Sequence, residues 1–225
     1  MAKKLDQTKT VKATVKVITK KIAKSTTKVY SASKEDSNKN AIDEIIIGTQ
    51  TWCMKNLDVS TYRNGDAIPQ VQDADSWAKL NTGAWCYYEN ETSNGTTYGK
   101  LYNWYAVNDP RGLAPLGYHI PTDIEWTLLT DYLGGKDLAG SKMKNTSGWK
   151  EDGDGTNSTS FTGLPGGYRN NDGTFDDVGT SGIWWSSTEN NAASAWFFQL
   201  GCYDGNSYRN KDSKQSGNSV RCLRD

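Results

Sequence analysis

Helical periodicity ends near residue 140, and this boundary limits the folds open to the chain. Beyond it, short apolar runs alternate with segments rich in Gly, Asn and Asp, such as EDGDGTNSTSFTGLPGGYRNNDGTF. Short runs between turn residues are typical of β-strands. Every second residue from Trp196 to Cys202 is apolar, so these side chains should share one strand face. The last part of the chain is therefore predicted to form a looped antiparallel sheet.

Two turn signals predict hairpins. Asp204-Gly205 stands between alternating runs, and a two-residue hairpin turn needs positive φ at both positions, which favours Asp-Gly. Earlier in the chain, three isoleucines at residues 45–47 precede Gly48, and Trp52 follows. This pattern predicts a strand, a tight turn and a second strand.

The segment PTDIEWTLLTDYLGG carries signals for both ends of a helix. Thr122 and Glu125 have the spacing of a capping box, and Gly134 suits a left-handed stop. The predicted buried stripe consists of Ile124, Leu128, Leu129 and Leu133. A shorter helix is predicted from Asp73 to Leu80, with Asp73 as its cap. Helices followed by an antiparallel sheet indicate an α+β fold.

Charge divides the chain into two parts. Residues 1–40 hold eleven Lys and three acidic residues, whereas residues 41–225 hold 15 basic and 23 acidic residues. Such asymmetry is typical of a basic arm attached to a globular body. Residues 1–40 are therefore interpreted as a docking arm and linker, and residues 41–225 as one domain. The proposed docking residues of the arm are Lys12, Lys16, Lys20 and Lys21.

The arm has two competing patterns. Alternation from Val11 to Val17 fits an extended strand, while the 4-3-4 spacing from Val11 to Ile22 fits a coiled-coil seam. Its β-branched residues favour extended structure. Nucleic acid is a weaker candidate partner, because residues 1–40 contain no Arg and a single aromatic residue, Tyr30. The arm is expected to order only against a partner protein or a second copy of the chain.

The first residues do not have the pattern of a secretory signal, because MAKKLDQTKTVKATVKV lacks an apolar core and a small-residue cleavage site. The sequence also has no apolar run long enough to span a bilayer, which needs about 18 residues. No membrane insertion is expected. Export by another route, or a trimmed signal, stays open at this point.

Six motifs occur in an order that resembles the Fibrobacter succinogenes major paralogous domain. They are IGTQTWCMKNL, YGKLYNWYAV, LGYHIPTDIEWTLL, FTGLPGGYR, WWSSTE and SVRCLRD. The resemblance runs from about residue 45 to residue 225. More distantly, HIPTDIEW and SGNSVRCLRD are similar to the formylglycine-generating enzymes. This likeness implies a C-type lectin-like fold with two helices, a looped antiparallel sheet and neighbouring termini.

Enzymatic activity is not expected. The formylglycine-generating enzymes need a cysteine pair, and the matching positions here are Gly205 and Asn210. His119 is the one histidine, and its place beside the predicted helix favours a packing role. Two carboxylate pairs, Asp123 with Glu125 and Glu125 with Glu189, are weaker candidates for a glycosidase. An enzyme on glycans is kept as an alternative.

No metal or cofactor is expected either. Asp152, Asp154 and Thr156 alternate as calcium ligands do, but Asn157 and Gly163 stand where an EF-hand needs Gly and Glu. The sugar-binding triplets of calcium-dependent C-type lectins are missing as well.

Four cysteines, at positions 53, 86, 202 and 222, allow three pairings. Cys202 with Cys222 is the preferred pair, because their strands should be neighbours. The resemblance implies a Cys before the Pro that precedes the main helix, but this position is Ala114, which puts the disulfide expected from the family in doubt. Four reduced thiols are the alternative.

Most tryptophans are expected in the core, whereas the polar surroundings of Trp77, Trp85 and Trp149 leave them unplaced.

The C-terminal loops have the composition of a recognition surface, rich in Asn, Ser, Tyr, Asp and Gly. The candidate contact residues are Asn190, Asn191, Tyr203, Asp204, Asn206, Tyr208 and Arg209. The alternative is that they form ordinary solvated loops. The resemblance implies a noncatalytic binding or display module, since related proteins vary in this region.

A phage virion protein accounts for both the cytosolic-looking arm and the surface role that the resemblance implies. The expected role is a capsid decoration or fibre component whose arm docks on other virion proteins. Its domain would bind a glycan or protein on the host surface, and several copies would add their weak contacts. A secreted or surface-anchored bacterial adhesin or lipoprotein is the alternative.

Overall fold

A computed structural model describes residues 42–225. The arm, with its docking residues Lys12, Lys16, Lys20 and Lys21, lies outside the described residues, and so do both patterns predicted for it. Between residues 42 and 225, every helix is too short or too polar to cross a lipid bilayer.

Twelve strands form two sheets within residues 42–225. In chain order they are β1 (Glu44–Ile47), β2 (Gln50–Cys53), β3 (Trp85–Cys86), β4 (Leu101–Asn103), β5 (Tyr118–His119), β6 (Gly166–Arg169), β7 (Phe175–Val178), β8 (Ser181–Glu189), β9 (Ser194–Gly201), β10 (Ser207–Ser213), β11 (Gly217–Asn218) and β12 (Leu223–Arg224). One sheet has the order β1-β2-β12-β5. The other has the order β10-β9-β8-β6-β11-β4-β3, with β7 paired to β6.

Pairing is antiparallel except between β6 and β8, where Gly167 pairs with Gly182 in parallel. The predicted antiparallel sheet is therefore interrupted by one parallel pair. The strand β10 ends its sheet and pairs only with β9 among the described residues.

Within the described part of the chain, five helices lie between the strands, together with a 3₁₀ turn at Tyr88–Asn90. They are α1 (Ala74–Trp77), α2 (Thr92–Tyr98), α3 (Trp104–Val107), α4 (Asp123–Tyr132) and α5 (Lys136–Met143). The helix predicted from Asp73 is only one turn long, but Asp73 caps it by accepting a 2.8 Å hydrogen bond from the Ser76 amide. The α+β prediction is confirmed.

Helix α4 begins and ends where its sequence signals predict. The Thr122 hydroxyl accepts the Glu125 amide at 3.3 Å, and the Glu125 carboxylate accepts the Thr122 amide at 2.7 Å, which completes the capping box. After the helix, Gly134 takes a φ of 98°. A residue with a Cβ would be strained in that conformation, so the glycine allows the chain to leave the helix.

The predicted buried stripe of α4 is half wrong. Leu129 and Leu133 are buried, but Ile124 is 70% exposed and Leu128 is 55% exposed. Instead Trp126 faces the sheet, where its ring stacks on Phe198 with centroids 4.5 Å apart. Because the larger indole occupies the sheet side of the helix, Ile124 and Leu128 are turned towards solvent.

Tryptophan supplies much of the core. Eight of the nine tryptophans are buried, and these include the three that the sequence left unplaced, Trp77, Trp85 and Trp149. A tightly packed group, Trp52, Trp126, Phe161, Trp184 and Phe198, joins the helix to both sheets. Large rings allow a chain with only four Phe to fill its interior despite long loops.

Two buried arginines fasten the long loops, and we call them the arginine pins. Arg221 donates to the carbonyls of Cys53, Met54 and Phe161 and to the Asn56 side chain, at 2.7–3.2 Å. Arg169 donates in the same way to the carbonyls at residues 71, 72 and 173. Except for Cys53, which ends β2, the accepting carbonyls belong to loop residues, so each guanidinium holds loop backbone in a fixed position.

Both predicted hairpins are present, but one turn differs from the prediction. The expected tight turn joins strands β1 and β2, and Gly48 in this turn has a φ of 64°. Between β9 and β10 the chain forms a longer loop, residues 202–206, in place of a two-residue Asp204-Gly205 turn. A tertiary contact accounts for the longer loop. The Ser141 amide of α5 donates to the Gly205 carbonyl at 2.9 Å, which holds the loop against the helix.

The preferred Cys202–Cys222 pair does not form. All four cysteines are free and buried, and Cys202 lies in a different core cluster from Cys222. Pairing of Leu223 with Trp52 instead sets Cys222 opposite Cys53. The sequence interpretation placed the last strand beside β9, whereas it lies in the other sheet, between β2 and β5.

Candidate ligand-binding site

The loop between β9 and β10, together with the start of β10, gathers four of the seven predicted contact residues. Asp204 is the centre of the group: its carboxylate accepts hydrogen bonds from the Tyr208 hydroxyl, from the Asn206 amide at 2.9 Å and from the Asn206 side chain at 3.2 Å. The fourth residue, Tyr203, is 80% exposed beside them. The loop thus orients one carboxylate between two tyrosines.

Tyr203, Asp204 and Tyr208 border a cavity of about 330 Å³, which we call the hairpin cavity. Its lining includes Asp177, Ser181, Gln199, Tyr203, Asp204 and Tyr208. Tyr208 pairs directly with Gln199 across the hairpin, so both side chains lie on the same face of the sheet. The cavity therefore combines two aromatic rings with carboxylate, hydroxyl and amide groups.

Five residues of this cavity were missed in the sequence: Asp177, Thr180, Ser181, Gln199 and Gly201. The Gln199 side chain donates to the Ser181 hydroxyl, and this hydroxyl donates to the Asp177 carboxylate, both at 3.3 Å. Gln199 interrupts the apolar run of β9 on the face opposite Phe198 and Leu200, which was an available signal. Asp177 and Ser181 carried no such signal, because only strand pairing brings them to the cavity. Ser181 is placed by the pairing of β8 with β9, and Asp177 by β7, which pairs with β6 beside β8.

Arg209 lies on the opposite face of the same hairpin. Its guanidinium forms an ion pair with Asp123 and stacks on Trp196, with the guanidinium carbon 3.4 Å from the ring centroid. Together with Trp126 and Phe198 it borders a second, more apolar cavity of about 280 Å³ between α4 and β10. Tyr208, at the edge of the sheet, reaches both cavities.

Asn190 and Asn191 lie at the other end of β9, in the turn from β8. Their side chains serve this turn: Asn190 donates to the Ser194 hydroxyl at 2.8 Å, and Asn191 accepts from the amides of Ala193 and Ser194. A strand of eight residues is roughly 25 Å long, so these two residues are far from the hairpin cavity. The seven predicted residues do not form one surface.

The candidate acid–base residues are tied into structural contacts. His119 bridges Glu125 and Asp225, at 2.9 Å to each, and we call this group the His119 clasp. Partial burial disfavours the charged imidazole, but the bonds to Asp225 and Glu125 outweigh it and raise the pKa of His119.

Glu125 has both oxygens engaged. One accepts from His119, and the other accepts from the amide and hydroxyl of Thr122. Burial raises the pKa of this carboxyl, yet the Thr122 amide and His119 outweigh burial and lower it. The third candidate, Glu189, forms an ion pair with Lys214 at 2.8 Å.

Within residues 42–225, no three His, Cys, Asp or Glu side chains come close enough together to hold a metal ion. In the segment with calcium-like spacing, Asp154 has a structural role. Asp154 accepts a 3.0 Å hydrogen bond from the Trp149 amide and so shapes its own loop.

A family model described as the Fibrobacter succinogenes major domain matches residues 45–224. No curated protein and no solved structure matches the chain. The matched segment includes both sheets, both arginine pins and the hairpin cavity. The chain therefore belongs to the Fibrobacter succinogenes major domain family.

Proposed function

We propose that residues 42–225 form a noncatalytic binding module that holds a saccharide in the hairpin cavity. One observation carries the proposal: Tyr203, Asp204 and Tyr208 border a single open cavity, and Asn206 bonds to the Asp204 carboxylate. The volume of this cavity is at the lower end of the range for ligand pockets, about 300–1,000 Å³. It suits a sugar unit at the end of a longer glycan.

The chemistry of the lining fits a sugar. A sugar ring has C–H faces that pack on aromatic rings and hydroxyl groups that need hydrogen-bond partners. Tyr203 and Tyr208 supply exposed rings, while Asp177, Asp204 and Gln199 supply acceptors and a donor.

The site is also arranged before a ligand arrives. Tyr208 and Asn206 hold the Asp204 carboxylate, and the contact between Ser141 and Gly205 holds the loop against α5. A fixed loop loses less conformational entropy on binding than a free one.

The noncatalytic part of the proposal rests on the acid–base candidates. His119 is bonded to Glu125 and Asp225, Glu125 is also bonded to the cap residue Thr122, and Glu189 is paired with Lys214. None of the three borders the hairpin cavity. A glycan-active enzyme is the alternative that this arrangement disfavours.

For the whole chain, we propose a phage virion protein, as a capsid decoration or fibre component, that binds a host-surface glycan. The opposite charges of residues 1–40 and 41–225 support an arm that docks on other virion proteins. A secreted or surface-anchored adhesin or lipoprotein is the alternative. We also propose a C-type lectin-like fold. The pairing of β12, the last strand, with β2, near the start of the domain, supports it.

The binding test uses the full chain on an array of bacterial surface polysaccharides and their oligosaccharides. Tyr208→Ala and Asp204→Ala should each lower retention of a bound glycan at least tenfold. Tyr132→Ala is the matched control, because Tyr132 is a 66% exposed tyrosine on α4 that does not border the cavity. Retention that is equal in all these variants would remove the hairpin cavity from the proposal.

Two further measurements separate the alternatives. Release of reducing sugar from a bound glycan, lost in Glu125→Gln or Glu189→Gln, would make the protein an enzyme. Deletion of residues 1–40 should abolish incorporation into virions and leave the thermal unfolding of the remaining domain unchanged. An arm-deleted protein that still enters virions would contradict docking through the arm.

A further inference from the structure

Cys53, the last residue of β2, lies directly opposite Cys222, the residue before β12. The register that pairs Leu223 with Trp52 sets Cys222 across from Cys53, and the Cys53 amide donates to the Cys222 carbonyl at 3.0 Å. Opposite residues of an antiparallel pair have Cα atoms about 4.5–5.5 Å apart. This separation lies inside the range of about 4.4–6.8 Å that disulfides span.

A positive charge lies beside the pair. The Arg221 guanidinium is fully buried and donates to the Cys53 carbonyl at 3.2 Å. Its other partners are two backbone carbonyls and the Asn56 amide oxygen, so none of its hydrogen bonds goes to a carboxylate. The contact with Cys222 and the charge of Arg221 outweigh burial and lower the pKa of the Cys53 thiol.

The other two cysteines have different surroundings. Burial raises the pKa of Cys86 to about 12, and Cys86 lies in a separate core cluster with no second cysteine. Cys202 lies in the cluster around Trp126 and Trp184, also without a second cysteine. Only Cys53 and Cys222 combine opposed positions with a neighbouring cation among the described residues.

We propose that Cys53 and Cys222 are a redox-active thiol pair that closes to a disulfide in an oxidising environment and fastens β12 to the β1–β2 hairpin. The oxidant is a low-molecular-weight disulfide such as oxidised glutathione. The Cys53 thiolate attacks one of its sulfurs, the small S–S bond breaks, and one small thiolate leaves. Cys222 then loses its proton and attacks the Cys53 sulfur, which expels the second small thiolate. The two cysteines are thereby oxidised, and two small thiols form after the leaving groups take up protons.

The oxidant can reach the buried cysteine pair because β12 is short. β12 has only two residues, and the residues that follow Leu223 are exposed. A strand of two residues is held by few ladder hydrogen bonds and can open locally, which brings Cys222 and then Cys53 to the oxidant. Once closed, the bond joins residues at nearly opposite ends of the described chain, and long loops gain most from closure.

The test incubates the full chain, under native conditions, with mixtures of oxidised and reduced glutathione. Two of the four thiols should disappear, and peptide mapping without reduction should find one cross-link that joins the peptides of Cys53 and Cys222. The melting temperature should rise on the order of 10 °C on oxidation. Cys53→Ala and Cys222→Ala should each abolish this rise, whereas Cys86→Ala and Cys202→Ala should keep it.

The mapping of the unaltered chain decides the question even if a variant fails to fold. Four free thiols after equilibration with oxidised glutathione would overturn the proposal. So would a cross-link through Cys86 or Cys202, or a stable glutathione adduct on Cys53 without closure.

Discussion

The loops fastened by the arginine pins and the β9–β10 loop are both long and polar in sequence, but they are stabilised in opposite ways. Arg221 and Arg169 bring a charge into the interior and donate to backbone carbonyls, and Arg221 also donates to the Asn56 side chain. The β9–β10 loop keeps its carboxylate, Asp204, at the surface and binds it to its own neighbours. The first arrangement fixes the fold, whereas the second leaves polar groups available to a ligand.

This difference shows that polar composition alone does not identify a binding site. Asn190 and Asn191 have the same residue types as the β9–β10 loop, yet their groups are used within their own turn. The relevant property is whether a polar group faces open space after its local hydrogen bonds are made. Substitutions should therefore affect stability most at the pins and least around the hairpin cavity.

The largest expected effect is that of Arg221→Met. The change keeps an unbranched apolar side chain but leaves the carbonyls of Met54 and Phe161 without their buried donor. We expect a loss of roughly 4 kcal/mol in the free energy of unfolding, seen as a fall in melting temperature of about 10 °C. Denaturant unfolding monitored by tryptophan fluorescence measures it.

The matched control is Lys55→Met, because Lys55 is an exposed cation in the same segment. Its free energy of unfolding should change by less than about 0.5 kcal/mol. A loss below about 1 kcal/mol in Arg221→Met would mean that the pins do not stabilise the loops.

An intermediate effect is expected for Gly140→Ala, where α5 meets the β9–β10 loop. A Cβ at residue 140 would lie 2.1 Å from the Asn206 carbonyl oxygen, so the backbone of the loop or the helix has to move. The free energy of unfolding should fall by about 2 kcal/mol, and glycan retention should fall because the loop carries Asp204. Calorimetry and the array measure the two effects.

Gly201→Ala is the comparison for stability, since no atom lies within 4 Å of a Cβ at that strand position. Its free energy of unfolding should stay within about 0.5 kcal/mol of the original. Equal losses in both variants would show that contact with α5 does not hold the loop.

The smallest effect is expected for His119→Ala and depends on pH. Because the pKa of His119 is raised in the folded protein, the clasp stabilises fully below the ordinary value of 6.5 and loses this contribution as pH rises above it. The lowered pKa of Glu125 has the opposite sense: its contribution is present above the ordinary value of 4.5 and disappears as pH falls below it. The clasp should therefore be strongest between these two values.

Unfolding of the original chain and of His119→Ala at pH values near 5.5 and 8.5 tests this. All three side chains are partly exposed, so the difference near pH 5.5 should be below about 1 kcal/mol, and it should shrink at the higher pH. A difference that is constant over this range would refute a charged clasp.

Much of the fold was predictable where short-range rules decide the structure. The capping box at Thr122, the stop at Gly134 and the turn at Gly48 follow from neighbouring residues alone. The turn at Gly205 and the exposure of Ile124 were not predictable, because α5 and the stacking of Trp126 on Phe198 decide them. Contacts between distant segments override local preference at these positions.

In the candidate site, too, the residues that are close in sequence were predictable, whereas those brought near by strand pairing were not. Composition selected Tyr203, Asp204, Asn206 and Tyr208, which are close in the chain and remain close in the fold. It also selected Asn190, which β9 separates from them, and it missed Asp177, which only strand pairing brings near. The opposition of Cys53 and Cys222 likewise depends on a sheet that joins residues 169 positions apart.

The position of β10 at the margin of its sheet has a consequence for crowded assemblies. Its outer amide and carbonyl groups have no strand partner within residues 42–225, and such a margin is a template for aggregation through added strands. Arg209, Asn210, Lys211 and Asp212 run consecutively along it, and bringing two copies together there would set hydrated charges against each other. Dense arrays of this domain should therefore stay separate, with each copy's hairpin cavity left open.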